Sequence, residues 1–305
     1  MVGEVNVWRE IKIEESKMKN NIVAHLFAGL VFLSALMPNT AFAQKSKIIL
    51  PQRGLCAHRG AMDTHPENTL PALLQAAKLG AQMIEFDIQL TKDSVMVIMH
   101  DDSVERTTNG RGNVSDLTYK YLRSLDAGIK KSEKFKGTVI PTFQEVLAVM
   151  PDNVWLNCHL KGDEAVGKAA ASMLEKSGRL HQAFLTCSEK ASAAARKQVP
   201  GILICNGENS YRRNTAKYVA ETIKMKAEFI QLLKPEAGQD RTPLIVSLKE
   251  NKVKINYFYA ETAQQLTDLF GMGVDFVLVN NVGELLAETE KLGIKTWKPI
   301  YKKQL

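Results

Sequence analysis

Two acidic residues in one short apolar stretch are the first indication of chemistry in this sequence. Residues 83–90 (MIEFDIQL) alternate apolar and polar side chains with the two-residue period of a β-strand. Glu85 and Asp87 then point to the same face, where repulsion raises the pKa of one carboxyl unless a cation lies between the two. The pair therefore predicts either a metal site or an acid pair.

Two histidines flank that stretch at the ends of other apolar runs. His58 follows residues 55–57 (LCA) and His100 follows residues 95–99 (VMVIM), so each lies where a predicted strand gives way to a loop. In parallel α/β proteins, sites lie at these carboxyl ends. Taken singly, each residue also fits a satisfied core histidine or an exposed alternating strand. The two histidines and two carboxylates together favour a site.

The length and composition describe one large α/β domain or two small ones. The chain has 305 residues, 45% of them hydrophobic, which supplies a full core and excludes a disordered chain. Its formal charge of +7 comes from scattered Lys and Arg, with no basic run beyond short pairs such as Lys130-Lys131. This pattern indicates a solvated surface that favours anionic small molecules, and it predicts no nucleic-acid partner.

Residues 1–43 have the pattern of an N-terminal extension followed by a signal peptide. Lys19 opens a basic region, residues 26–37 form an apolar run of 12 residues, and residues 41–43 (AFA) match a small-x-small cleavage site. A membrane span needs about 20 residues, so an uncleaved anchor is the weaker alternative. No stable membrane insertion is expected after cleavage.

The mature chain is predicted to comprise residues 44–305. Translation is expected to begin at Met18, because residues 1–17 do not resemble part of a signal, and cleavage to leave Gln44 as the first residue. The protein is therefore expected to be exported, either to the periplasm or by secretion.

The four cysteines, at positions 56, 158, 187 and 205, lack metal-ligand spacing. An oxidising compartment allows disulfides in a domain of this size without requiring them. Cys187 and Cys205 end consecutive predicted strands and are the only pair considered for a disulfide. Free thiols are the expectation.

Strand-like and helix-like segments alternate along the mature chain. About eight strands alternating with helices predict an α/β fold, a closed (βα)8 TIM barrel, with a doubly wound open sheet as the alternative. The barrel is favoured because no Gly-rich dinucleotide fingerprint follows the first strand. After residues 55–57, 83–90 and 95–99, the predicted strands are 154–160, 183–187, 201–205, 228–232, 254–259 and 275–279. The predicted helices are 69–79, 142–150, 163–177, 189–198, 214–226, 244–251, 262–272 and 282–292.

One segment interrupts this alternation. Residues 102–139 are polar and dotted with glycine, and they carry only a weak helix pattern at 117–125. The segment is predicted to be a small insertion over the C-terminal mouth of the barrel.

Five short motifs occur in an order typical of a known family. They are residues 57–60 (AHRG), 66–69 (PENT), 84–87 (IEFD), 100–101 (HD) and 106–110 (RTTNG). With them the chain resembles the glycerophosphodiester phosphodiesterase family. The resemblance implies a phosphatidylinositol-phospholipase-like barrel, one divalent cation (Ca²⁺ or Mg²⁺), and hydrolysis of a glycerophosphodiester to glycerol 3-phosphate and an alcohol. It also implies that His58 and His100 are the acid and base, and that Glu85 and Asp87 hold the metal.

Phosphodiester hydrolysis requires such residue types on chemical grounds. The substrate is an anion with a poor leaving group, so it needs charge neutralisation, a base for the nucleophile and an acid for the departing alkoxide. Arg59 and Lys161 are the predicted phosphate ligands, Arg59 through its planar fork and Lys161 as a point charge. Glu67 is expected to orient His58 or Arg59, with an ordinary carboxylate near a helix cap as the alternative.

The chain departs from the family's pattern at three places. His159 stands where the family has the Glu that is its third metal ligand, and it shares a strand face with Lys161. His159 is therefore predicted to complete the metal site, and its imidazole adds Mn²⁺ and Zn²⁺ to the candidate cations. Residues 258–261 (FYAE) replace a Trp-Thr-Val-Asn run, in which Phe258 keeps an aromatic ring for stacking on substrate. Residues 279–280 (VN) replace a Thr-Asp pair.

Two other functions compete with an exported, metal-dependent phosphodiesterase. An enzyme similar to phospholipase D or sphingomyelinase D would need an apolar loop for membrane docking, whereas residues 130–134 (KKSEK) are polar. A barrel that binds a phosphate ligand without catalysis has no need of two histidines that titrate near neutral pH. The predicted partner is a small-molecule glycerophosphodiester, and no oligomeric state is predicted.

Overall fold

The computed structural model describes residues 48–234 and 240–302. The predicted signal peptide at residues 1–43 and the predicted mature terminus at Gln44 lie outside the described residues. Within the described ranges, no helix has both the length and the hydropathy needed to cross a membrane.

The described chain contains one sheet whose strands follow the predicted segments closely. Its strands are β1 (Gly54–Ala57), β2 (Met83–Leu90), β3 (Met96–Ile98), β4 (Trp155–Leu160), β5 (Ala183–Cys187), β6 (Leu203–Asn206), β7 (Phe229–Leu233), β8 (Lys254–Ala260) and β9 (Phe276–Val279). Eight of them are parallel and pair in the order β1, β2, β4, β5, β6, β7, β8, β9. Because β9 also pairs with β1, the ring closes, and the predicted TIM barrel is confirmed.

Strand β3 lies outside this ring and runs antiparallel to β2. It carries the apolar run that ends before His100. His100 is therefore brought to the barrel mouth by a return strand rather than by a barrel strand.

The helices follow the strands, as a (βα)8 fold requires. They are α1 (Leu70–Leu79), α2 (Tyr119–Arg123), α3 (Phe143–Val149), α4 (Glu164–Lys176), α5 (Glu189–Gln198), α6 (Thr215–Lys224), α7 (Thr242–Glu250), α8 (Ala263–Gly271) and α9 (Val282–Lys291). Local signals set their ends. Helix α3 begins with a capping box between Thr142 and Glu145. Helix α1 ends at Gly80, whose φ of 95° is a left-handed conformation that glycine adopts without strain.

Two separate cores result from the alternation of side chains along the barrel strands. The outward-facing side chains pack under the helices in one continuous apolar layer. The inward-facing ones fill the barrel with an apolar plug, in which the rings of Phe184 and Phe229 stack at 4.0 Å. The plug consists of Cys56, Met83, Trp155, Phe184, Cys205, Phe229, Phe276 and Leu278. Because the interior is filled, a ligand has room only above the plug, at the carboxyl ends of the strands.

The four cysteines are buried and free, as expected. Cys187 pairs in register with Asn206, and Cys205 with Thr186, so the two cysteines are one residue out of step on neighbouring strands. Cys205 belongs to the barrel plug and Cys187 to the layer under the helices. The sheet therefore separates the two thiols, and the disulfide considered from the sequence does not form.

The segment between β3 and α3 is ordered by a small core of its own. Val104, Val114, Leu122 and Leu125 pack together there, and the weak helix pattern at residues 117–125 becomes the short helix α2. From this segment Asp102, Asn113 and Ser115 line the cavity at the barrel mouth.

Candidate active site

A cavity of about 1270 Å³ lies at the carboxyl ends of the barrel strands. Because side chains fill the barrel interior, the cavity lies above this plug. Residues at the strand ends and in the loops that follow them form its walls. Its walls include seven of the residues singled out from the sequence: His58, Arg59, Glu85, His100, His159, Lys161 and Phe258. Asp87 lies next to it, fully buried.

The two carboxylates and His159 converge because β2 and β4 are neighbours in register. Asp87 pairs with His159 across that boundary. The His159 Nδ1 atom lies 3.1 Å from Asp87 Oδ1 and 3.6 Å from Glu85 Oε1. One donor atom from each of the three residues lies within 4.8 Å of the others. This spacing is suited to a shared cation.

Asp87 is held rigidly, and one of its oxygens, Oδ1, has charged neighbours but no hydrogen bond within the described part of the chain. Asn68, at a left-handed φ of 57°, donates from Nδ2 to Asp87 Oδ2 at 2.9 Å and accepts from the Asp87 backbone N–H at 3.2 Å. The Oδ1 atom lies 3.0 Å from Lys161 Nζ, but no contact to it has hydrogen-bond geometry among the described residues. Burial raises the pKa of Asp87, yet His159 and Lys161 hold it well below its ordinary value, so the carboxyl is ionised.

Glu85, Asp87 and His159 are a suitable set of ligands for a divalent cation. The buried, ionised Oδ1 of Asp87 contacts Lys161 and His159 but accepts no hydrogen bond from the residues that the structure describes, so its lone pairs are available to a metal cation. Glu85 contributes a second carboxylate, whose Oε2 is occupied by the Arg59 backbone N–H at 2.9 Å while Oε1 faces His159. Two carboxylates and one imidazole form a donor set that suits Mn²⁺ or Zn²⁺ as well as harder cations.

His58 has a neutral partner. Its Nδ1 lies 2.7 Å from Asn280 Oδ1, and because an amide oxygen only accepts, Nδ1 carries the proton. Asn280 follows β9, and the His58 backbone N–H also donates to Val279 O at 3.1 Å. The ring of Phe258 packs edge-on against the imidazole at 5.5 Å. Closure of the barrel therefore sets the tautomer of His58 and leaves its Nε2 for a ligand.

His100 has a charged partner instead. Its Nδ1 donates to Asp101 Oδ1 at 2.7 Å. Arg106, together with His100, lowers the pKa of Asp101 to about 2, so this carboxylate is ionised at any physiological pH. The carboxylate at Nδ1 therefore fixes the tautomer and the orientation of the His100 ring and leaves Nε2 free of the proton.

The two predicted phosphate ligands lie beside the carboxylates. Arg59 has a left-handed φ of 54° and donates from Nη1 to Glu67 Oε1 at 2.8 Å. Its Nε lies 3.6 Å from Asp87 Oδ2, and Lys161 approaches the same carboxylate from the β4 side. Glu67 binds Arg59 and Arg106 and does not belong to the cation cluster.

Four residues of the site had no role in the interpretation of the sequence. Asn68 and Arg106 lie inside two of the five motifs, and Asp101 follows His100 directly. Their nearness in sequence to predicted site residues is the signal that could have identified them. Asn280 was noted only as a departure from the family's pattern. Its contact with His58 joins residues 222 positions apart, which only the closed barrel reveals.

Comparison with known proteins agrees with this geometry. The sequence profile of the glycerophosphoryl diester phosphodiesterase family matches residues 58–284. The chain belongs to this family. YhdW of Bacillus subtilis, a relative named for the same activity, is 31% identical over 233 residues, which are 74% of this chain and 93% of YhdW. The family's enzyme class, a glycerophosphodiester phosphodiesterase, is the one predicted from the motifs.

A further relative matches part of the sequence, and two solved structures share the fold. A glycerophosphodiester phosphodiesterase from Caldanaerobacter subterraneus is 51% identical over 100 residues, which are 33% of this chain and 41% of that relative. A solved structure from Agrobacterium tumefaciens superposes with a TM-score of 0.67 at 23% identity, over 76% of this chain and 97% of that one. An Oleispira antarctica phosphodiesterase superposes with a TM-score of 0.65 at 22% identity, over 79% and 97%. These two likenesses establish the shared barrel.

Proposed function

We propose that this protein is an exported, metal-dependent hydrolase that cleaves glycerophosphodiesters to glycerol 3-phosphate and an alcohol. The observation that carries the proposal is the convergence of two oriented imidazoles with the Glu85, Asp87 and His159 cluster at one cavity. The Oleispira antarctica relative supports the product side, because its solved structure holds sn-glycerol-3-phosphate as product.

The substrate phosphate binds between the cluster and the two cationic side chains. Arg59 presents a guanidinium fork and Lys161 an ammonium, both partly buried, with side-chain exposures of 13% and 21%. Glu85, Asp87 and His159 hold the cation. When bound, the cation supplies Lewis-acid neutralisation of charge at the phosphoryl oxygens.

Two proton transfers accompany the displacement at phosphorus. His100, whose Nδ1 is fixed by Asp101, takes a proton from the attacking water at Nε2. The water oxygen forms a bond to phosphorus as the bond from phosphorus to the alcohol oxygen breaks. His58 in its protonated form donates from Nε2 to that departing oxygen. The contact of Nδ1 with Asn280 orients the His58 ring for this transfer.

The choice of cation depends on His159. A neutral imidazole in place of a carboxylate reduces the ligand charge from three negatives to two, which weakens binding of Ca²⁺ and Mg²⁺. Imidazole suits Mn²⁺ and Zn²⁺. We therefore expect this protein to use a softer cation than relatives with Glu at this position.

Export is supported by the basic, apolar and cleavage regions of residues 18–43. N-terminal sequencing of the protein from its native host tests it: a first residue of Gln44 is expected. A chain that retains residues 26–37 would instead be membrane-anchored.

A substrate panel tests the activity. Purified protein is offered glycerophospho-choline, -ethanolamine, -glycerol and -inositol, each with Ca²⁺, Mg²⁺, Mn²⁺ or Zn²⁺, and released glycerol 3-phosphate is measured. Turnover of at least one diester is expected, fastest with Mn²⁺ or Zn²⁺, and about 10²- to 10⁴-fold slower in His58→Ala. Tight binding of the diesters without turnover under every condition would favour the non-catalytic barrel.

A further inference from the structure

The planar guanidinium group of Arg106 binds two carboxylates near the site, those of Glu67 and Asp101. Its Nη1 and Nη2 donate to the two oxygens of Glu67, both at 2.8 Å. Its Nε donates to Asp101 Oδ2 at 2.6 Å, and Nη2 also reaches Asp101 Oδ1 at 3.1 Å. Every guanidinium nitrogen is therefore engaged with a carboxylate, and the two carboxylates come from different loops.

The loop that presents Arg106 is fixed without help from these ion pairs. The Thr108 side chain is fully buried and donates to Val104 O at 2.8 Å, closing a turn around Arg106. Asn109 and Asp126 exchange two contacts: the Asn109 N–H donates to Asp126 O, and the Asp126 N–H donates to Asn109 Oδ1 at 2.8 Å. Hydrogen bonds of Thr108 and Asn109 thus hold the backbone on which Arg106 is carried.

Each carboxylate held by Arg106 contacts one working side chain. Asp101 fixes the tautomer of His100, and Glu67 accepts from Arg59 Nη1 at 2.8 Å. Arg106 itself is absent from the described residues that line the cavity, so it acts through these partners.

We propose that Arg106 is a positioning residue, which holds Asp101 against His100 and Glu67 against Arg59 and so aligns the base and the phosphate ligand together. The proposal rests on the proposed function, because it assigns Arg106 a part in that reaction. A lysine cannot replace it, since one ammonium has no planar fork for two carboxylates.

The same segment supplies a matched control. Arg123 donates to Glu145 Oε2 at 2.8 Å, and its side chain is 36% exposed, against 47% for Arg106. Arg123→Ala therefore removes one arginine–carboxylate pair and a hydrogen bond to Ile140 O at 3.2 Å, without touching the site. Its turnover should stay within about twofold of wild type, which sets the scale for a structural effect.

Two readouts on the purified full-length chain test the proposal, and the first needs no turnover. The Nδ1-bound proton of His100 is followed by NMR and assigned by its loss in His100→Ala. In Arg106→Ala this signal should exchange quickly with water, whereas in Arg123→Ala it should match wild type. An unchanged signal in Arg106→Ala would overturn the proposal, even if turnover falls.

The second readout is steady-state kinetics. Arg106→Ala should lower kcat/KM by about 10- to 10²-fold, the usual loss when a residue that orients a ligand is removed. Arg106→Lys should recover little of it, and added guanidinium ion should restore part of the lost kcat in Arg106→Ala only. Wild-type kinetics in Arg106→Ala or full recovery in Arg106→Lys would contradict the proposal. If wild type cleaves no diester, the proposed function fails, and the NMR signal still decides the role of Arg106.

Discussion

The two ends of the barrel each carry an arginine bound to carboxylates, but the two arginines have different surroundings. At the amino end, before β5, Arg179 is 3% exposed and binds Asp152. Its other partners are fixed groups: Gln182 Oε1 and the backbone carbonyls of Leu147, Met150 and Pro151. At the carboxyl end, Arg106 is half exposed and binds only side chains that contact other functional side chains.

The two ends of the barrel also differ in their buried side-chain atoms that lack hydrogen bonds. Asp87 Oδ1 and Arg59 Nε are buried without hydrogen-bond partners at the carboxyl end, whereas no side-chain atom of Arg179, Asp152 or Gln182 is in that state. A native fold leaves buried polar atoms unsatisfied where a ligand completes them. We infer that the amino end contributes stability and that the carboxyl end is arranged for a ligand.

The largest effect expected from this division is on turnover. His58→Ala and His100→Ala should each lower kcat by about 10²- to 10⁴-fold, the usual contribution of a positioned acid or base, with little change in Tm. A substrate with a strongly acidic leaving group should rescue His58→Ala, because its alkoxide departs without a proton, and should not rescue His100→Ala. Steady-state kinetics of both variants check this. Wild-type rates in both would refute the two-histidine mechanism.

The opposite response is expected at the amino end. Arg179→Met leaves the buried Asp152 carboxylate with only the more distant Lys302 ammonium, 3.9 Å away, and should cost about 3–5 kcal/mol of unfolding free energy. Thermal melting measures the loss, at about 2–4 °C per kcal/mol for a domain of this size. Turnover per folded molecule at low temperature should equal that of wild type. If turnover falls while Tm does not, the division between the two ends is wrong.

Much of this fold follows from periodicity. The structure places β5 at the residues predicted for that strand and α5 at those predicted for that helix, because alternation and capping act locally. Helix α6 ends at Lys224, two residues before its predicted end, because Lys226 adopts a left-handed φ of 52°. The antiparallel direction of β3 was not predicted, since an apolar run carries no information on its partner.

The site was predictable to the extent that its residues lie in short motifs. His58, Glu85 and His100 could be selected by type and position, and the structure brings them to one cavity. The partners that orient them could not, because the contact of Asn280 with His58 and the two-sided contact of Arg106 depend on which loops meet above the closed barrel.

A smaller effect is expected in the pH dependence of cation binding at Glu85, Asp87 and His159. Burial lowers the pKa of His159, but Asp87 and Glu85 outweigh it and raise the pKa above its ordinary value. Because imidazolium cannot ligate, cation affinity should be complete above this raised pKa and fall by about tenfold per pH unit below it. Titration calorimetry of Mn²⁺ binding from pH 5 to 8 measures this.

The variant His159→Glu shows how much of the pH dependence of cation affinity comes from the imidazole. It should bind Mg²⁺ and Ca²⁺ severalfold more tightly than wild type and should keep its affinity to lower pH, because a carboxyl titrates near pH 4. His159→Ala serves as the control. If His159→Ala binds every cation as wild type does, His159 is not a ligand.

Turnover after removal of divalent cations tests the central claim most directly. The protein is treated with a chelator, exchanged into metal-free buffer, and assayed for glycerol 3-phosphate release before and after addition of Mn²⁺. Release should stop in the metal-free protein and return with Mn²⁺, because a cation at Glu85, Asp87 and His159 would again neutralise charge at the phosphoryl oxygens. Full turnover in the metal-free protein would contradict the claim and would leave charge neutralisation to Arg59 and Lys161 alone.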